Sequence, residues 1–112
     1  MIDDFETAGL SIAPREQRGG QWFQYDDGTP GQQTLEKMAG ALHVTSSGYS
    51  VFGSGVGTLV SEASQFTRMC PYDASVYGGL QFRAKGRGRV RLRLAMPEVT
   101  PVSEGGRCTK PG

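Results

Sequence analysis

Asparagine is missing from this sequence altogether, histidine and tryptophan occur once each, and cysteine twice. Without Asn there is no N-glycosylation acceptor from which to argue secretion. The one histidine, His43, has no Cys or acid cluster at ligand spacing, which excludes a zinc site and a nucleophile–His triad. Cys70 and Cys108 allow at most one disulfide, and two thiols do not settle the redox compartment. They read as a structural pair, or as thiols with partners elsewhere, rather than as catalytic nucleophiles. No apolar run approaches the roughly 18 residues that span a bilayer, so no membrane partner is expected. MIDDF has neither the basic start nor the apolar stretch of a secretion signal, so an exported form would have had its signal removed. Charge of one sign is also missing: 12 Lys and Arg face 11 Asp and Glu, net +1. Any attraction to a polyanion must therefore be local.

What is present is glycine. Seventeen Gly, six Pro and 37% apolar residues in 112 positions suit short strands joined by many turns, because both residues penalise helix interiors. The chain has room for one domain and one core, which leaves no place for a two-domain enzyme. Along it, IDDFE (2–6) reads as a first strand and QWFQY (21–25) as a second, stopped by the turn residues of DDGTPG. QQTLEKMA (32–39) predicts a helical turn, and ALHVT an alternating strand over about 41–46. VFGSGVGTLVSEA (51–63) has Gly53 and Gly55 where a dinucleotide fingerprint would, but Thr58 holds the third glycine position and the chain is too short for that fold. It reads instead as a Gly-rich loop leading into a strand at 57–60.

The strongest periodicity lies further on. GLQFRAK (79–85) and RVRLRLAM (89–96) alternate apolar and polar residues with period two, separated by Gly86, Arg87 and Gly88. That pattern predicts an antiparallel hairpin with Leu80, Phe82, Val90, Leu92 and Leu94 on the core side and the cations stacked on the other.

Taken in order, IDDFE, WFQYDDGT, ALHVTSSGYSVFGSGVG, YDASVYGGLQFRAKG, VRLRLAMPEVTP and GGRC resemble a carbohydrate-binding module of the galactose-binding-like jelly-roll type, close to family 11. The likeness runs along nearly all of the chain, and YDASVYGGLQFRAKG is its most specific piece. It implies a jelly-roll β-sandwich whose concave sheet holds a glucan-like chain on aromatic and polar groups, with no chemistry done on it. It also implies a secreted or cell-surface protein, since such modules occur in polysaccharide-degrading bacteria. A structural calcium near the first strand is implied too, for which Asp3, Asp4 and Glu6 are the nearest candidates. Calcium takes roughly six to eight oxygens, so three acids supply only part of a site. Relatives often carry Trp where this chain has Phe52, and they continue beyond GGRC through further strands. The 112 residues correspond to about the N-terminal two-thirds of the pattern, and a second chain or a homo-oligomer is expected to complete the sheet.

Sugar sites set aromatic faces against the C–H side of a pyranose and planar polar groups against its hydroxyls. The candidate ligand-binding residues are Tyr25, Tyr49, Phe52 and Tyr77, with Arg83, Arg89, Arg91 and Arg93 as forked donors for hydroxyls or uronate carboxylates. Each has a plainer account: most rings of a small sandwich are core, and a basic face is often only the solvated side of a sheet. Trp22 in particular reads as core, since WFQY sets Trp22 and Gln24 against Phe23 and Tyr25 and one of those faces must be inside. Nucleic acid is disfavoured by the near-zero net charge and by Asp3, Asp4, Asp26 and Asp27. Adjacent Asp26 and Asp27 point apart and fit a turn better than a hydrolytic pair, so no enzyme activity is expected. The expected function is non-catalytic binding of a β-glucan or an acidic plant or bacterial polysaccharide. The alternative is a structural or assembly protein whose open sheet edge pairs with another chain.

Overall fold

The computed structural model describes residues 1–15, 18–61 and 72–109. The chain forms two compact units, Met1–Gln65 and Phe66–Gly112. Among the described residues it is all-β, with four strands, one short 3-10 turn and no α-helix.

In the first unit, β1 (Trp22–Asp26) pairs antiparallel with β4 (Ser54–Thr58), and β2 (Gln32–Met38) with β3 (Ala41–Ser47), as two separate two-stranded sheets. β1 and β3 lie within a residue of where the sequence pattern puts them. β4 starts at Ser54 rather than at 57, and ends at Thr58. QQTLEKM is a strand and not a helical turn, although most of its residues are good helix formers. Two local causes decide this. Ala39 and Gly40 both take left-handed backbone, at φ 51° and 70°, and close a two-residue turn whose twist matches that of the flanking strands. The strand also alternates, with Gln33, Leu35 and Lys37 half-buried and Gln32, Thr34, Glu36 and Met38 exposed. The ladder is completed by a hydroxyl pair, Thr34 Oγ1 to Thr45 Oγ1 at 2.6 Å. Gln33 Nε2 donates to the Gly55 carbonyl at 3.0 Å and Ser54 Oγ lies 2.6 Å from Ser46 Oγ, so polar contacts join the two sheets.

IDDFE is not a strand. The carboxylates of Asp3 and Asp4 accept the N–H groups two residues on, from Phe5 at 3.0 Å and Glu6 at 3.1 Å, and Phe5 is left-handed at φ 63°. These are Asx turns, which compete with extended pairing. The strand-like contacts come later: Ser11 bridges Gln21, Ile12 N donates to Gly20 O, and Trp22 N donates to Leu10 O. This loop encloses Ile12, 2% exposed and the most buried apolar side chain among the described residues.

Lys37 points inward from β2 and meets Asp3, Nζ to Oδ2 at 2.9 Å, with side chains only 4% and 1% exposed. Trp22 Nε1 donates to the same carboxylate oxygen at 2.7 Å, and the Lys37 ammonium stands 5.9 Å from the Phe5 ring centroid. Phe5 and Trp22 pack with centroids 5.9 Å apart. Burial pushes the Asp3 carboxyl up, but Lys37, Trp22 and the Phe5 N–H together outweigh it and hold it below its ordinary value. An ion pair thus sits where the alternation of β2 would place an apolar residue, and it ties the N-terminal segment to β1 and β2.

In the second unit, residues 96–108 close on themselves. Thr100 N donates to Met96 O, Cys108 N to Thr100 O and Val102 N to Cys108 O, around a 3-10 turn at Val102–Glu104. Cys70 lies outside the described residues. The hairpin expected over 79–96 does not form. Both runs are free of strand pairing, no backbone hydrogen bond joins 79–95 to any described residue, and every residue from Asp73 to Met96 is exposed, Val90 by 82%. A lone two-stranded ribbon is marginal unless a further layer covers its apolar side. Here the two runs would also face cation against cation across the ladder, which destabilises pairing.

Candidate functional site

β4 has the sequence SGVGT, with glycine at every second position, so one face of the strand carries no side chains. The register sets Phe23 opposite Gly57 and Tyr25 opposite Gly55. Both rings lie on that bare face: a Cβ at Gly57 would fall 2.7 Å from Phe23, and one at Gly55 would enter the Tyr25 ring. The two rings are neighbours, with centroids 6.4 Å apart and planes tilted by 41°. Tyr25 is 48% exposed and Phe23 is half-buried. The result is a pair of adjacent rings on a floor of backbone, with one ring open to solvent.

The loop from β3 to β4 is held beside the end of this strand pair by one carboxylate. Asp27 Oδ2 accepts three successive backbone N–H groups, from Val51 at 3.0 Å, Phe52 at 3.0 Å and Gly53 at 2.8 Å. Its Oδ1 accepts from the Thr29 hydroxyl and the Thr29 N–H, while Asp27 N donates to Gly53 O. The Thr29 hydroxyl and the loop amides hold the Asp27 carboxyl far below the usual carboxylate range, against a smaller opposing effect of desolvation. Ser50 N also donates to Thr29 Oγ1 at 3.1 Å. The loop so fixed displays Val51 and Phe52, the latter 67% exposed. Tyr49 is half-buried against Gly31, with its hydroxyl 3.4 Å from Asp26 Oδ2. Partial desolvation, then the Asp26 carboxylate, push its phenol above the ordinary value.

Of the sequence candidates, Tyr25, Tyr49 and Phe52 therefore gather at one end of the first unit. Alternation along β1 puts Tyr25 and Asp26 on opposite faces, so Tyr49 and Tyr25 flank that end from two sides. Tyr77 belongs to the second unit, where its hydroxyl lies 3.4 Å from that of Tyr72 beside an Asx turn at Asp73. Arg83, Arg89, Arg91 and Arg93 are all exposed, but on an unpaired segment and not on a pleated basic face. Phe23 was absent from the candidates, although alternate glycines in SGVGT were the sign of a bare surface needing ring cover.

The acids proposed for calcium do not converge. Asp3 is engaged by the Lys37 ammonium and the Trp22 indole, and Asp4 lies 3.7 Å from Arg15. Glu6 lies against Gly40. No three His, Cys, Asp or Glu side chains among the described residues form a metal-holding group. An ammonium hydrogen-bonded to the central carboxylate does not fit a calcium cage, which needs that oxygen for the ion. Among the described residues no helix is long and apolar enough to cross a membrane. No family model matches this chain, and neither a curated protein nor a solved structure matches it.

Proposed function

We propose that the chain is a polysaccharide-binding β-domain of the jelly-roll carbohydrate-binding type, which holds its ligand on Phe23 and Tyr25 and does no chemistry on it. The observation that carries this reading is the open ring of Tyr25 beside Phe23 on the glycine face of β4. Two neighbouring ring faces offer a large, rigid, electron-rich surface to the C–H side of a pyranose, and they lose little side-chain entropy on binding. Phe52 is exposed on the adjoining loop, which Asp27 already fixes, so its use would carry little ordering cost.

Affinity electrophoresis in gels containing β-glucan or pectin tests it. The chain should be retarded in at least one gel, and Tyr25→Ala should weaken retention by about tenfold, or ~1.4 kcal/mol. Gly55→Ala should act in the same direction, by displacing the ring without removing it. Unchanged mobility of the parent chain in both gels overturns the reading. So does retention that survives Tyr25→Ala in a chain whose circular dichroism is unaltered.

A further inference from the structure

Two features of the second unit lie outside the ring platform. The run 79–95 is exposed, outside any strand and without backbone hydrogen bonds to described residues, yet its residues alternate in the sequence as those of a strand do. Charge is also segregated along the chain. Residues 66–112 carry nine Lys and Arg against three Asp and Glu, and residues 1–65 carry three against eight, giving formal net charges of +6 and −5. Between Asp73 and Glu98 there are six cations and no acid. A near-neutral molecule therefore has two strongly opposed halves.

We propose that residues 79–96 of one copy add as strand to an open sheet edge in the acidic Met1–Gln65 unit of a second copy. Backbone N–H and C=O groups now facing water would enter a ladder, Leu92 and Leu94 would be covered, and Arg89, Arg91 and Arg93 would meet carboxylates. The charge pattern chooses the partner. Basic run against basic run repels, whereas basic run against acidic unit attracts. Among the described residues both sheets of the first unit have only two strands, and apart from the contact of Leu10 with the start of β1 no further strand lies in their ladders, so an edge can receive an addition. Each copy carries both halves of the match, so two copies can exchange runs reciprocally in a closed pair.

Sedimentation velocity of the whole chain, at about 0.1 M and about 1 M salt, tests this, because the screening length falls from roughly 10 Å to roughly 3 Å between them. The expected result is a concentration-dependent pair at low salt whose dissociation constant rises at least about tenfold at high salt. The triple variant Arg89→Glu, Arg91→Glu, Arg93→Glu should sediment as a monomer where the parent chain pairs. Leu92→Pro, which removes a ladder donor and no charge, should also weaken the pair. Circular dichroism of each variant checks that the β1–β4 and β2–β3 ladders persist, since the substitutions lie outside them. A parent chain that is monomeric at every concentration overturns the proposal, including the case in which a chain's own first unit takes up the run. Association that strengthens with salt, or that ignores the triple variant, overturns it as well.

Discussion

Residues 32–47 and residues 79–96 are both pairs of short runs joined at glycine, and they end in opposite states. The first pair forms a seven-rung antiparallel ladder, while the second has no rung at all. Apolar alternation does not separate them, because it is weak in QQTLEKM and strong in RVRLRLAM. Three physical differences do. The first pair has a two-residue turn with left-handed backbone at both positions. It has a receiving layer, since Lys37 reaches Asp3 and, through it, Trp22. It sets Glu36 opposite His43 and Thr34 opposite Thr45, where the second pair would set cation against cation. A strand pair needs a matched turn, a surface to lie on and tolerable neighbours, and period-two patterning reports only on the second of these.

Removing the receiving layer should cause the largest change. Lys37→Met leaves the Asp3 carboxylate enclosed without its counter-charge, and breaking a buried pair from one side costs about 3 kcal/mol. Urea midpoints should show that loss, and a change below about 1 kcal/mol would mean that β2 and β3 hold together without the ion pair. Acid should act on the same contact. Asp3 and Asp27 both titrate below the ordinary value of 3.8, so the unfolded chain takes up their protons first as pH falls. Stability should be level above about pH 5 and decline below about pH 4. Asp27→Asn should make that decline shallower and lower amide protection at 51–53. An equally steep decline in this variant would remove Asp27 from the explanation.

Part of this arrangement was legible beforehand. WFQY and ALHVT gave up their strands because strand-forming residues stand there between strong turn signals. β2 was hidden because its inward positions are Gln33, Leu35 and Lys37, of which only one is apolar, and the partner that makes Lys37 tolerable is remote in sequence. The turn was hidden because alanine rarely takes left-handed backbone. At the site, alternation already put Phe23 and Tyr25 on one face of WFQY, but what lies opposite that face depends on register. The bare backbone under the Tyr25 and Phe23 rings comes from Gly55 and Gly57, thirty or more residues away. The converse error, a hairpin expected at 79–96, came from treating alternation as sufficient.

A smaller effect should convert the unpaired runs toward the paired state. Arg83→Glu with Lys85→Glu replaces like-charge neighbours by opposite ones across the prospective ladder, worth roughly 0.2–1 kcal/mol for each pair. Amide protection should then appear in 80–84 and 90–94 in a chain kept dilute enough to be monomeric. If these amides still exchange freely, repulsion is not the main obstacle, and the lack of a covering layer is.

The finest adjustment lies in the turn of the successful pair. Ala39 at φ 51° pays for its side chain in a region where Cβ crowds the neighbouring carbonyl, by roughly 1 kcal/mol. Asparagine tolerates that region and Asn-Gly is a favoured pair for this turn, so Ala39→Asn should recover roughly 0.5–1 kcal/mol. Ala39→Gly should recover less, because glycine also gains freedom in the unfolded chain. A higher melting temperature for Asn than for Gly, with both above the parent, is the expected order. A loss of stability in both would mean that the turn is held by β2 and β3 rather than closing them. The ladder would then owe its existence to the Lys37–Asp3 layer alone, and supplying 79–96 with a better turn would not bring its strands together.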